Sequence, residues 1–142
     1  MPKRRRGSAA RPSRPAERLS GVHRGFETLV ERALAGIPAP FDAALREVAI
    51  VVEDEPSRRQ LLESDLDPDR DTLYGLYEGT PRNEWGADWV PAPNKITLFR
   101  IPLQEDFADP LELAEEVRIT VIHELAHHMG IDDDRLEELG VD

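Results

Sequence analysis

The chain has 142 residues, 39% of them hydrophobic, no cysteine and a formal net charge of −11. One domain fits that length. Disulfides, thiolate metal clusters and cysteine nucleophiles are excluded, so any metal site must draw on His, Asp or Glu. The charge is split: residues 1–20 hold seven Lys/Arg and one acid, whereas residues 21–142 hold 28 acids and 11 bases. A body this acidic repels nucleic acid and anionic membrane.

The first segment, residues 1–20, is basic, rich in Pro, Ser, Ala and Gly, and nearly free of large apolar side chains. It reads as a disordered basic tail whose one available role is contact with a polyanion. It lacks the apolar stretch of a secretory signal, and the longest aliphatic run, Val48–Val52, is far short of a membrane span. The expected setting is cytoplasmic, without membrane contact. Residues 21–142 form the expected folded domain.

Gly21–Leu34 places Val22, Phe26, Leu29, Val30, Ala33 and Leu34 near a 3.6-residue period, which predicts a helix stopped by Gly36 and Pro38. Val48–Val52 predicts a buried strand and Ser57–Ser64 a short helix. Leu73–Tyr77 predicts a second strand, Pro81–Asn94 a structured loop with Trp85 and Trp89, and Ile96–Ile101 a third strand stopped by Pro102. Asp109 is then a good N-cap, Pro110 suits the first helical position, and Glu112 stands three residues on, as a capping box requires. Val117, Val121, Leu125 and Met129 repeat at i+4, and Gly130 is a natural terminator. A helix of about twenty residues should reach Met129, with a short helix around Asp134–Leu139 after it.

Near the end of that helix stands His123-Glu124-Leu125-Ala126-His127. Residues i and i+4 share one helix face, so both imidazoles can reach one cation. Neutral imidazole suits zinc. Glu124 is rotated about 100° from His123, beside the metal rather than on it. There it can take a proton from a water whose pKa zinc lowers to about 7. A catalytic zinc needs a third protein ligand. Gly130 lets the chain turn back, and Asp132, Asp133 and Asp134 follow. Asp133 completes His-Glu-x-x-His-x-x-Gly-x-x-Asp and is the expected ligand, with Glu137 and Glu138 as alternatives and Asp132 or Asp134 as a helix cap. His128 points away from His127 and suits a polar contact beside the site; His23 reads as a surface histidine.

The stretch from His123 to Asp133, together with Val48–Pro56, Leu73–Gly79 and Pro93–Arg100, resembles the small bacterial minimal-zincin family of possible neutral zinc metallopeptidases. The motif is also similar to the extended metzincin motif with Asp as its last ligand, as in snapalysin-like peptidases. The methionine turn of metzincins has no counterpart, since the only methionines are Met1 and Met129. The resemblance implies an α+β fold: a small three- or four-stranded sheet packed against an N-terminal helix and the long motif-bearing helix. It implies one Zn²⁺ per chain on His123, His127 and Asp133, with Glu124 as general base. The expected activity is hydrolysis of a peptide or protein substrate, with Ile96–Ile101 as the strand that aligns it and Tyr74, Tyr77 or His128 as oxyanion donor. Residues 101–142 hold 13 acids and two arginines, which favours basic peptides. The opposing expectation is a non-catalytic metal-binding module acting through a protein partner.

Overall fold

The apolar residues of the chain sort onto two faces of one small sheet. In the computed structural model, residues 4–6, 16–79, 94–131 and 133–139 are described, with side chains from 24 to 79, from 94 to 131 and at 134–136 and 138. The strands are β1 (Arg4–Arg6), β2 (Ala49–Glu53), β3 (Asp71–Leu73), β4 (Gly75–Glu78) and β5 (Lys95–Phe99). The helices are α1 (Ala16–Ala35), α2 (Phe41–Ala44), α3 (Arg58–Glu63), α4 (Arg100–Asp106), α5 (Pro110–His128) and α6 (Asp133–Leu139). A 3₁₀ turn, Leu45–Glu47, follows α2. The result is the expected α+β arrangement.

The main sheet has three strands in the order β2-β5-β4. β2 runs parallel to β5, with Ile50 opposite Ile96, and β4 runs antiparallel to it, with Tyr77 opposite Ile96. Side chains alternate across a strand, and β5 shows the consequence. Ile96 and Leu98 enter the large core with Phe26 and Val30 of α1 and Val117, Val121 and Leu125 of α5. Phe99 faces the opposite way, into a small cluster with Leu61, Leu66 and Leu73. The long helices thus cover one face and α3 the other.

β5 is the central strand, so the expectation that Ile96–Ile101 lines up a substrate is corrected: both its edges are taken by β2 and β4. The Leu73–Tyr77 strand is split at Tyr74. Its first part, β3, pairs with β1, and its second part, β4, joins the main sheet. Tyr74 makes the transition with its ring edge-on to Phe107 and its hydroxyl bonded to Asp106. The third strand also ends earlier than expected. Pro102 stands in the first turn of α4, where a missing N–H costs nothing. Arg100, 1% exposed, ties this junction to the end of β2, with Nε and Nη2 donating to Asp54 at 3.1 and 2.8 Å and Nη1 to Gln104 at 2.8 Å.

α1 begins at Ala16, before the expected Gly21, and β1 lies within the segment read as tail, its main chain pairing Arg6 with Asp71. The capping box expected at Asp109 is not formed; Asp109 is exposed, makes no side-chain cap bond, and water can serve its N–H groups. The capping box instead starts α3, where Ser57 Oγ accepts from the Gln60 amide and Gln60 accepts from the Ser57 amide. Residues 80–93, Asp132, and the side chains of His23, Asp133 and Glu137 lie outside the described residues, and so do the expectations placed on them.

Candidate metal and catalytic centre

α5 ends as the glycine stop requires. Gly130 takes φ +81°, its amide donates to His127 O at 3.0 Å, and the Ile131 amide donates to Ala126 O at 2.8 Å. These two bonds form a Schellman motif, the left-handed exit that only glycine enters without strain. The chain then turns directly into α6, which begins at Asp133. Leu136 of α6 is fully buried in the main core, so α6 is anchored to that core.

Inside that end, every residue from Thr120 to Ala126 is buried. His123 and His127 stand one turn apart with ring centroids 5.0 Å apart and planes at 79°. His123 is 5% exposed, while the His127 side chain keeps 25% of its surface open. Glu124 is 1% exposed. Its Oε1 accepts the Tyr77 amide at 2.8 Å and lies 3.5 Å from His127 Nδ1. Its Oε2 is buried with no hydrogen-bond partner. A buried, unsatisfied carboxylate oxygen is costly and marks a place where another group belongs.

His128 lies behind the site. It is fully buried, with Nε2 donating to Glu47 Oε1 at 2.8 Å and Nδ1 3.0 Å from the Tyr77 hydroxyl, which also reaches Asn94 Oδ1 at 2.9 Å. Tyr74 belongs to the core and to Asp106. All three candidate oxyanion donors are thus engaged elsewhere. Sequence reasoning missed Glu47, Asn94 and the Tyr77 amide. A main-chain amide carries no letter of its own, but glycine inside a strand, here Gly75, signals close backbone approach.

The donor chemistry fits zinc in part. One buried and one partly open imidazole at one-turn spacing are a zinc-type pair, and the Glu124 carboxylate, with one oxygen orphaned, stands beside His127. Among the described residues no group of three such side chains converges. The described helices include none long and apolar enough to cross a membrane.

A zincin-like scaffold with this motif on its long helix defines the class. The profile of the zincin-like metallopeptidase family matches residues 45–141, and the chain belongs to that family. The match begins in the 3₁₀ turn and takes in the whole sheet, α5 and α6, while α1 precedes it. No curated protein matches the chain.

Proposed function

We propose that the chain is a zinc-dependent peptidase in which Glu124 carries the proton. The observation that supports this most is the Glu124 carboxylate: buried, held at one oxygen, unpartnered at the other, and beside His127 of the imidazole pair. His123 and His127 would hold the ion, with Asp133, which follows the turn at Gly130, as the third ligand. Zinc in such a place supplies Lewis acidity toward a carbonyl and makes water acidic enough to act at neutral pH. Glu124 takes the proton of the attacking water on Oε2 and passes it to the leaving amine. Burial of the site keeps the carboxylate from competing solvent, and the Tyr77 amide keeps it from rotating. Among the described residues β4 is the sheet edge, and its outward Tyr77 amide is the one that holds Glu124.

Zinc analysis of the purified full chain should give close to one ion per chain. Asp133→Ala should reduce zinc retention far more than Asp132→Ala. In a peptide-library screen, Glu124→Gln should keep the zinc and lower cleavage by about 10²-fold or more, the usual scale for a lost general base. Zinc with no cleavage by either form would instead indicate the non-catalytic module.

A further inference from the structure

Glu124 is held by a strand rather than by its own helix. The Tyr77 amide turns away from β5 and donates to Glu124 Oε1 at 2.8 Å. Two residues earlier, Gly75 lies against α5. A Cβ at that position would sit 2.6 Å from Cγ2 of Thr120, one turn before Glu124. Two strand residues advance about 6.6 Å, and four helical residues advance about 6 Å. Strand and helix therefore run in step, Gly75 meeting Thr120 and Tyr77 meeting Glu124. Gly75 is not among the residues with positive φ, so space is what position 75 needs. Thr120 is 2% exposed and β-branched, with a stiff side chain that cannot swing clear. The phenol of Tyr77 fastens the strand from behind, through His128 to Glu47 and through Asn94.

We propose that Tyr77 is a positioning residue for Glu124, and that the Gly75–Thr120 contact sets the reach of its amide. The inference rests on the reading of Glu124 as the proton carrier. It adds that the base is oriented by the edge strand of the sheet and not by its own helix alone. With Oε1 occupied by the amide, Oε2 is the oxygen left for chemistry.

The test is amide hydrogen exchange at residue 77, read by NMR on the full chain as purified, without substrate. Glu124→Ala should speed exchange there by about tenfold or more, the scale of one hydrogen bond to a charged acceptor. Gly75→Ala should do the same, and adding Thr120→Ser, which removes Cγ2, should restore protection. Unchanged exchange in Glu124→Ala overturns the proposal, and so does a double variant no better protected than Gly75→Ala. If Gly75→Ala alone does not fold, recovery of a folded, protected double variant upholds the contact, and failure of the double overturns it. In cleavage assays, Gly75→Ala should lower kcat more than it raises KM, with the same rescue by Thr120→Ser. A chain showing the exchange pattern but no cleavage keeps the positioning and loses only the peptidase reading; cleavage without the pattern does the reverse.

Discussion

From Pro110 to Glu116, α5 buries only Leu113 and leaves Leu111 82% exposed; from Thr120 to Ala126 every residue is buried. The same helix is therefore an ordinary amphipathic surface element at its start and a core element at its end. The two regions treat a carboxylate differently. Glu115 meets Arg118 in water, with Arg118 Nε donating at 3.0 Å. Glu124 meets a main-chain amide in the interior and keeps one oxygen unsatisfied. A surface ion pair contributes little, whereas a buried carboxylate persists only where its surroundings hold it. Burial, more than residue type, separates a solvated acid from one fit for chemistry.

The strongest way to break this comparison is to shorten one leucine in each region. Leu125→Ala should cost about 3 kcal/mol, within the usual range for a fully buried leucine. Leu111→Ala should stay within about 0.5 kcal/mol. Urea unfolding followed by circular dichroism measures both, and equal losses would erase the distinction. Gly130→Ala comes next. It forces an L-residue to φ +81° at the helix exit and should cost about 1–2 kcal/mol, and it should weaken zinc retention by misdirecting the turn toward Asp133. No loss of stability would mean that the Schellman exit is dispensable.

The smallest effect belongs to the exposed pair. The hydrogen bond from Arg118, more than the charge alone, holds the Glu115 carboxyl below the usual carboxylate range. Its pKa is depressed on folding, so its contribution is present above the unfolded-chain value and lost as pH falls through the folded one. Glu115→Gln should cost about 0.3–0.5 kcal/mol at neutral pH, less in high salt and nothing in acid. A loss that persists in acid would place its origin outside the ion pair.

The sequence made the helix-borne part of the site readable because helix geometry is fixed by spacing. His123, Glu124 and His127 needed only the i, i+4 rule, and Gly130 only the rule that helices exit through glycine. Strand order is a tertiary property, and no local pattern showed that β5 lies between β2 and β4. The structure shows the reason in burial: Ile96, Thr97, Leu98 and Phe99 are all buried, as a central strand requires. The split at Tyr74 was hidden for a similar reason: the run Leu73–Tyr77 carries no local break, and the change of strand partner falls at a residue tied to distant Asp106 and Phe107. Pro102 did stop a strand, but by standing in the opening turn of a helix. The Asp109 and Ser57 caps are both exposed and both fit the motif. They differ three residues on, where Gln60 is buried and Glu112 exposed, and only the Ser57 box closed its reciprocal pair.

The parallel pairing of Ala49 with Lys95 has a consequence for biogenesis. β2 leaves the ribosome while β5, its partner among the described strands, is still unmade, and at about 5–20 residues per second that partner follows roughly 2–9 s later. Through that interval Ile50, Val51 and Val52 have no neighbouring strand to complete their hydrogen bonding. The nascent chain is most open to sticking, and most in need of a chaperone, in the window between those two strands.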